Sequence, residues 1–167
     1  MTVSVRLAVE DDLASIAEIY NQAIALKSAT ADLAPVTIAN RKAWLNEHSA
    51  KKYPVFVADD SSHVIGYCSL SAYRPGRMAL RFTAEISYYV HENHRGLGIA
   101  SALIQHAIGE CAQLDIRTLF AILLDINSDS VRILKKFGFQ QWGHLPQVAD
   151  FDGVECGHLY YGLRLQP

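Results

Sequence analysis

A glycine-rich turn between a predicted strand and a predicted helix constrains the fold of this chain more than any other feature. The strand is predicted at residues 79–90, the turn covers residues 95–100, and the helix runs over residues 98–113. The two glycines of the turn let the backbone approach a ligand closely. Successive N–H groups then point at one spot beside the positive end of the helix dipole, and an arginine adds a fixed charge. The turn therefore predicts a pyrophosphate site, with a loop that merely needs glycine as the alternative.

Two nucleotide-binding motifs that use the same physics do not fit the sequence. A dinucleotide-binding turn carries G-x-G-x-x-G after the first strand, and a P-loop carries G-K-[S/T]. Neither pattern occurs here. A dinucleotide-dependent oxidoreductase is therefore nearly excluded as a class.

Hydrophobic periodicity predicts the element order β-α-α-β-β-β-α-β-α-β-β. The carboxylates of Asp11 and Asp12 suit a helix N-terminus, and Thr37 can cap the second helix. Strands are predicted at 3–8, 53–58, 63–73, 79–90, 117–124, 140–144 and 155–165, and helices at 13–27, from 37 onward, at 98–113 and at 127–137. A loop is expected between the last two strands. The pattern predicts a single domain over residues 1–167, with a mixed sheet and helices on its faces.

Composition narrows the class of protein. Half of the 167 residues are hydrophobic and the net charge is −2, which favours a globular chain and speaks against nucleic-acid binding through bulk electrostatics. No apolar run reaches the about 18 residues that a membrane helix needs. The first residues also lack the apolar core of a signal peptide. We therefore expect a cytoplasmic protein without a nucleic-acid or membrane partner.

The cysteines and histidines predict neither a disulfide framework nor a metal site. Cys68, Cys111 and Cys156 are scattered and odd in number, so we expect small buried hydrophobic residues. His158 lies close to Cys156 in sequence, but such adjacency rarely makes a catalytic pair. His91 and His94 are three residues apart, and nothing nearby completes a metal site.

The turn and several other segments together resemble one family. Residues 95–100 match the R/Q-x-x-G-x-G/A signature of the GNAT superfamily of N-acetyltransferases, and the second signature of that family matches at Asn127, Ser130, Gly138 and Phe139. More narrowly, the chain resembles the branch that contains phosphinothricin and methionine sulfoximine acetyltransferases. That branch carries T-x-E-x-S/T-x-Y-V before the turn, and the matching residues here are Thr83, Glu85, Ser87, Tyr89 and Val90. Residues 29–32, with Pro35 and Val36, resemble its early substrate loop.

The resemblance implies an α/β (α+β) GNAT fold, in which about four helices flank a mixed, mostly antiparallel twisted sheet. It also implies acetyl-CoA as cosubstrate, with no metal. Pantetheine would pair with the main chain of the strand, and the turn would hold the pyrophosphate. The residues implied to bind acetyl-CoA are Tyr88, Tyr89, Val90, Arg95, Gly96, Leu97, Gly98, Ile99, Ala100, Asn127 and Ser130. A helix N-cap is the plainer role for Asn127, and the two roles are compatible.

Glu85 is the candidate general base. Strand alternation predicts one face with Arg81, Thr83, Glu85, Ser87 and Tyr89, and a core face with Phe82, Ala84, Ile86, Tyr88 and Val90. Five residues separate Glu85 from Val90, or about 16 Å at strand rise, which suits an extended pantetheine arm. An amine acceptor arrives protonated and needs a base before it can attack a thioester. Glu85 could instead pair with Arg81, or position the substrate.

The acceptor half of the sequence departs further from the branch. Arg74 and Arg81 align with arginines that hold the acceptor's carboxylate there, and guanidinium suits that role. Leu134 stands where the family usually has a tyrosine or histidine as general acid, so water or Tyr89 would have to serve. The tryptophan of the branch's late acceptor segment is missing from residues 149–156.

The expected reaction is acetyl transfer to the primary amine of an amino acid or an analogue, by direct attack in a ternary complex. Two alternatives stay open, namely a protein or peptide N-acetyltransferase and a non-catalytic acyl-CoA-binding regulator. By analogy with relatives we also expect a homodimer, with Tyr160 and Tyr161 of the last strand as interface candidates.

Overall fold

Seven strands and four helices make up the fold in the computed structural model, which describes residues 3–165. The strands are β1 (Ser4–Leu7), β2 (Val55–Asp59), β3 (Val64–Ala72), β4 (Thr83–Val90), β5 (Thr118–Leu124), β6 (Gln140–Phe151) and β7 (Val154–Arg164). The helices are α1 (Leu13–Ala25), α2 (Ile38–Asn46), α3 (Ile99–Glu110) and α4 (Ser128–Lys136). The predicted order of elements is confirmed.

The strands form one sheet in the order β1-β2-β3-β4-β5-β7-β6. Neighbours run antiparallel except β4 and β5, which are parallel. This confirms the predicted mixed, mostly antiparallel sheet. The parallel pair lies near the middle, and α3 connects its two strands.

Each face of the sheet packs against its own pair of helices. On one face, Ala84 and Ile86 of β4 are buried with Leu103 of α3 and Leu134 of α4. On the other face, α1 and α2 cover β2 and β3, and Tyr89 packs against that second core. Residues 84 and 86 therefore point one way and residue 89 the other, which confirms the predicted alternation along β4.

Polar contacts fix the starts of the first two helices. Asp12, just before α1, is buried, and both of its carboxylate oxygens accept hydrogen bonds from Arg6 at 2.8 and 2.9 Å. Arg6 also bonds Asp59 of β2 at 2.9 Å. At α2, the Thr37 hydroxyl accepts from the N–H of Asn40, as the predicted cap requires.

The segment before β4 differs from the sequence prediction. The strand begins at Thr83, and residues Met78–Leu80 form a short 3-10 turn that the N–H of Arg81 closes onto Met78. The predicted strand at 79–90 is therefore four residues too long at its start. Arg81 lies outside β4, so its predicted place on the same strand face as Glu85 is wrong.

The predicted loop between the last two strands is also wrong. Strands β6 and β7 form one long hairpin, closed by Asp152 and Gly153 with φ of 55° and 92°. An Asp-Gly pair favours this tight turn, because both residues tolerate positive φ. Two register shifts in β6 break the period of two and hide the strand in the sequence. Because β7 lies between β5 and β6 and Tyr161 is buried within the chain, Tyr161 is not available as the interface residue for which it was a candidate.

The three cysteines are free and buried, as expected from the sequence. Among the helices of residues 3–165, none is both long and apolar enough to cross a membrane.

Candidate functional site

The parallel strands β4 and β5 pair for only three residues and then separate. The last register pair joins Glu85 to Phe120. Beyond it, β4 continues to Val90 and β5 to Leu124 without pairing to each other, and a cleft of about 770 Å³ opens between them. The cleft is bounded by β4, β5, the turn before α3, the first part of α4 and the end of α1. Glu85 thus stands at the fork, one residue before Ile86, where the part of β4 that lines the cleft begins.

The backbone of β4 alternates between its two neighbours. Phe82 O accepts hydrogen bonds from the segment entering β5, whereas Thr83 O and the N–H of His91 bond toward β3. Even-numbered residues of β4 therefore direct their N–H and C=O groups to the cleft side. Beyond the fork these residues are Ile86, Tyr88 and Val90. The main chain of Tyr89 faces β3, so Tyr88, Val90 and the unpredicted Ile86 supply the open polar edge.

The glycine-rich turn closes the far end of the cleft. Gly96 and Gly98 have φ of 75° and 82°, a left-handed conformation that favours glycine. Gly98 is the N-cap of α3. A Cβ built on either glycine meets no atom of residues 3–165 within 4 Å, so the space in front of the turn is open to a ligand.

Most of the predicted turn residues line the cleft, together with residues that the sequence did not indicate. Those in the lining are Arg95, Gly96, Gly98, Ile99 and Ala100, with His94 and Ser101 beside them. The side chain of Leu97 is exposed and lies outside the lining. The ring nitrogen Nδ1 of His94 is buried and finds no hydrogen-bond partner within the described residues. An anionic group bound at the turn fits this set of donors.

Helix α4 forms the side wall of the cleft. The Oδ1 of Asn127 accepts from the N–H of Ser130 at 3.2 Å, so the N-cap role of Asn127 is confirmed, and both residues also line the cleft. The hydroxyl of Tyr88 is buried near Ser130 and makes no hydrogen bond to any of the described residues. Burial raises the pKa of Tyr88 to about 12. Leu134 is fully buried and offers the cleft only an apolar surface.

Glu85 is half-buried between polar and aromatic neighbours. Across β3 its register partner is Ser71, whose hydroxyl lies 3.3 Å from Nε2 of His48. On the β5 side the partner is Phe120. Burial raises the pKa of the Glu85 carboxyl above its ordinary value. A carboxylate without a compensating charge is a stronger base than a salt-bridged one.

The two predicted substrate arginines lie in the segment between β3 and β4. The Arg81 guanidinium stacks on the ring of Phe82 at 4.1 Å and donates to Met78 O. Arg74 is exposed just after β3. Among residues 3–165, no ion pair joins Glu85 to either arginine. The alternative in which Arg81 neutralises Glu85 is therefore wrong.

The early substrate loop is tied to α1 by a polar network that the sequence did not indicate. The hydroxyl of Tyr20 lies 3.0 Å from that of Thr30 and donates to Asp32. Arg41 of α2 lies over the ring of Tyr20 at 4.7 Å, and its Nε is buried. Helical periodicity predicted only that Tyr20 faces the core. The partners of its hydroxyl, Thr30 and Asp32, lie in a loop distant from it in the helical pattern, which carries no signal for them.

Tyr89 lies partly buried behind this network and also lines the cleft. Its ring contacts Tyr20 edge-on at 5.1 Å and Tyr67 at 5.3 Å. Burial raises the pKa of Tyr89 above its ordinary value, so the hydroxyl stays protonated at neutral pH.

Comparison with known proteins identifies the family. The family model described as Acetyltransferase (GNAT) family matches residues 15–139. A Bacillus subtilis protein provisionally named phosphinothricin acetyltransferase YwnH is 38% identical over 152 residues, covering 90% of this chain and 92% of that one. The L-methionine sulfoximine/L-methionine sulfone acetyltransferase of Pseudomonas aeruginosa is 33% identical over 168 residues, covering 100% of this chain and 97% of that one.

A solved structure extends the comparison to the bound cosubstrate. The phosphinothricin acetyltransferase of Sinorhizobium meliloti in complex with acetyl-CoA superposes with a TM-score of 0.92 at 31% identity, over 99% of this chain and 89% of that one. The likeness thus includes the whole sheet and the cleft. The chain belongs to the GNAT acetyltransferase family and is an acetyl-CoA-dependent N-acetyltransferase.

Proposed function

We propose that the protein transfers the acetyl group of acetyl-CoA to the primary amine of an amino acid or an amino-acid analogue of the phosphinothricin or methionine sulfoximine type. The observation that carries this proposal is the position of Glu85 at the fork where β4 and β5 separate, as a carboxylate with no salt-bridge partner within residues 3–165. The names of the relatives from Bacillus and Pseudomonas support the acceptor class.

The chain has suitable groups for every part of acetyl-CoA. Pantetheine fits the open main-chain edge of Ile86, Tyr88 and Val90, with the Asn127 amide and Ser130 on the opposite wall. The pyrophosphate fits the turn at residues 95–100, where backbone N–H groups, the helix dipole and Arg95 combine. Bound acetyl-CoA supplies the thioester that the acceptor amine attacks.

Glu85 would act as the general base, directly or through a water. Its raised pKa brings its basicity nearer to what the proton of an alkylammonium demands. The N–H of Val90 faces the cleft and is a candidate donor to the thioester oxygen as charge develops there. The reaction then needs no acyl-enzyme, because both substrates meet at the fork.

No side chain is assigned to the leaving thiolate. Leu134 is apolar and buried, and the half-buried Tyr89 packs its ring edge-on against Tyr20. A thiol has a pKa of only about 8.5, so its anion leaves tolerably at neutral pH and water can protonate it.

Arg74 and Arg81 are proposed to attract the carboxylate of the acceptor. Both are exposed and flank the segment between β3 and β4, which leads directly to Glu85. Since Arg81 already stacks on Phe82, it would have to turn away from that ring to form a bidentate contact. Arg74 is therefore the better placed of the two.

Thiol release from acetyl-CoA across an acceptor panel tests the proposal. The panel contains phosphinothricin, methionine sulfoximine, the common amino acids, spermidine and a set of peptides. Release with one or more amino-acid-type amines, and initial-rate lines that intersect when both substrates are varied, is the expected result. Parallel lines would contradict direct attack. Turnover with peptides alone, or tight acetyl-CoA binding without turnover, would favour the peptide-acetyltransferase or regulator alternative.

We further propose that residues 1–167 act as one domain, in the cytoplasm where acetyl-CoA is available, and as a homodimer. Strand β6 supports the dimer, because it is the edge of the sheet and exposes Leu145 and Val148. Sedimentation equilibrium would measure the mass, and a monomer at micromolar concentration would contradict the dimer.

A further inference from the structure

We infer that Trp142 and Phe120 form an aromatic wall beside Glu85 that selects acceptors with uncharged, apolar side chains, of the methionine kind, over anionic ones such as phosphinothricin. The inference rests on the proposed function and names the acceptor more narrowly. The wall consists of Tyr73, Phe120, Trp142 and Tyr160, and Trp142 is the specificity-determining residue.

The register of the sheet places Phe120 next to Glu85. The two residues are partners across β4 and β5, at the last pair before the strands separate. Partners in register project from the same face of a sheet, and neighbouring strands lie about 5 Å apart. Any amine that reaches the Glu85 carboxylate therefore brings the rest of its molecule close to the Phe120 ring.

Trp142 extends this surface across the next strand. Phe120 also pairs with Gly162 of β7, and the Trp142 ring lies over that glycine. A Cβ at residue 162 would come within 1.9 Å of the indole ring, so glycine is what lets the ring lie flat there. The rings of Phe120 and Trp142 then meet edge-on at 5.2 Å.

Two further rings complete the wall. Tyr73 stacks on Phe120 at 4.7 Å, and Tyr160 lies 6.3 Å from it. Trp142 stays 46% exposed, so part of its indole is open for contact. The wall thus runs outward from the fork along one face of the sheet and ends at an open aromatic surface.

The chemistry of this wall sorts acceptors by charge. An apolar or thioether side chain gains dispersion and sulfur–aromatic contacts against the rings. An anionic side chain gains no partner from the rings and is repelled by the Glu85 carboxylate. The opposite side of Glu85, with Ser71 and His48, is polar and is closed by the hydrogen bond between them.

A second copy of the chain is the competing occupant of the exposed indole. The acceptor is favoured because the wall is continuous with Glu85 through Phe120, whereas the exposed apolar residues of β6 that suit a partner chain, Leu145 and Val148, lie farther along the strand.

A series of acceptors with one skeleton tests the inference. Methionine, methionine sulfone and phosphinothricin share the same carbon chain and a terminal methyl group, and differ in the polarity and charge of the atom between. In the wild-type protein we expect kcat/KM to fall in that order. Trp142→Ala should lower kcat/KM for methionine by about tenfold, mainly through KM, and for phosphinothricin by less than about twofold.

Two variants control for structural damage. Trp142→Phe keeps an aromatic ring and should retain more than half of the activity with methionine. Val148→Ala removes a similarly exposed apolar group of β6 that lies away from the wall. It should leave kcat/KM unchanged for both acceptors. If Trp142→Ala alone fails to fold, the comparison of Trp142→Phe with Phe120→Leu provides the same test.

The outcomes separate this inference from the proposed function. Two results would overturn the role of the aromatic wall and leave the proposed function intact. One is a higher kcat/KM for phosphinothricin than for methionine in the wild type, and the other is an equal loss of kcat/KM for both acceptors in Trp142→Ala. A Trp142→Ala variant that becomes monomeric with unchanged kinetics would overturn it in favour of a dimer contact. Absence of turnover with any small amine would overturn the function and the inference together.

Discussion

Glu85 shows how one side chain takes its character from burial alone. It is half-buried between Ser71 and Phe120, and no ion pair reaches it within residues 3–165. Its pKa rises because the ionised form is poorly solvated. The ionised Glu85 carboxylate therefore lowers the free energy of unfolding.

The stability of Glu85→Gln checks this reading of Glu85. Because the folded-state pKa is raised, the ionised form destabilises the folded protein at pH values above it. Below the unfolded-state pKa of about 4.3, the residue is neutral in both states and the effect vanishes. We expect the variant to match the wild type in free energy of unfolding at pH below about 4, and to exceed it at pH 7. Urea denaturation at both pH values measures this, and a variant less stable at pH 7 would contradict it.

The same raised pKa predicts the pH dependence of turnover. The base must be ionised to accept a proton, so kcat should rise with pH through an apparent pKa above the ordinary glutamate value of about 4.3. A pH profile of kcat at saturating substrates measures it. The rising limb should be absent from the profile of Glu85→Gln. If that variant shows a rising limb at the same pH, the limb belongs to another titrating group.

Sequence reasoning reached Glu85 but not its surroundings. A period of two fixes the face of each residue within β4, so Glu85 and Tyr89 were placed correctly. Extending the same period back to Arg81 predicted the wrong position, because the 3-10 turn at Met78–Leu80 interrupts the extended backbone before the strand begins. Aromatic neighbours such as Trp142 depend on pairing between strands distant in sequence, which no local pattern encodes.

At the scale of elements, the turn before α3 combines a left-handed backbone with a candidate ligand site. Gly98, the N-cap of α3, has φ of 82°, whereas Gly109 inside α3 has an ordinary φ. A Cβ built on either residue meets no described atom within 4 Å. Gly98→Ala should therefore lose about 1 kcal/mol of stability and weaken acetyl-CoA binding. Gly109→Ala should gain about 0.5 kcal/mol and leave binding unchanged.

Thermal denaturation and titration calorimetry measure both glycine variants. Equal effects of the two substitutions would contradict a special backbone at residue 98. Unchanged acetyl-CoA affinity in Gly98→Ala would remove the turn from the binding site.

Asn127 has two roles that a pair of substitutions can separate. Asn127→Asp keeps an oxygen to cap α4 but loses the amide donor, so stability should hold while the Kd for acetyl-CoA rises about tenfold. Asn127→Ala should lose the cap as well, at about 1 kcal/mol. Denaturation and calorimetry report the two roles independently. If Asn127→Asp binds acetyl-CoA normally, the residue is a cap and nothing more.

Element order was readable from the sequence because most helices and strands here carry one regular period. The β6–β7 hairpin escaped, since its two register shifts break the alternation and its exposed strand lacks a continuous apolar face. The Asp152-Gly153 pair was the local signal for the hairpin. Its positive φ values are what a two-residue turn requires.

At the scale of the whole molecule, the cleft exists because β4 and β5 pair for three residues and then part. Each strand is held on its outer side along its full length, by β3 and by β7. Helices α3 and α4 pack on the face beside the gap. The fork is thus a property of the sheet as assembled, and sequence indicated it only through resemblance to a family.

The sheet edge far from the cleft is stabilised by Arg6, which joins β1 to α1 and β2 through Asp12 and Asp59. Burial alone would raise the pKa of Asp12, but the bonds from Arg6 and the N–H of Val9 hold it below its ordinary value. Arg6→Ala leaves a buried carboxylate unpaired and should lose about 2 kcal/mol.

A matched control exists for Arg6. Arg132 pairs with Asp129 on the surface of α4, where both side chains are well exposed, so Arg132→Ala should leave the free energy of unfolding unchanged. Urea denaturation compares the two variants. Similar losses would show that Arg6 contributes no more than a surface charge.

The most direct test of the account is the turnover number of Glu85→Gln together with its affinity for acetyl-CoA. Glutamine keeps the size and polarity of the side chain but accepts no proton. The account predicts that kcat falls by about 10²–10⁴-fold, as for the loss of a general base, while the Kd for acetyl-CoA measured by calorimetry stays within about twofold. A kcat within about threefold of the wild type would show that Glu85 is not the base.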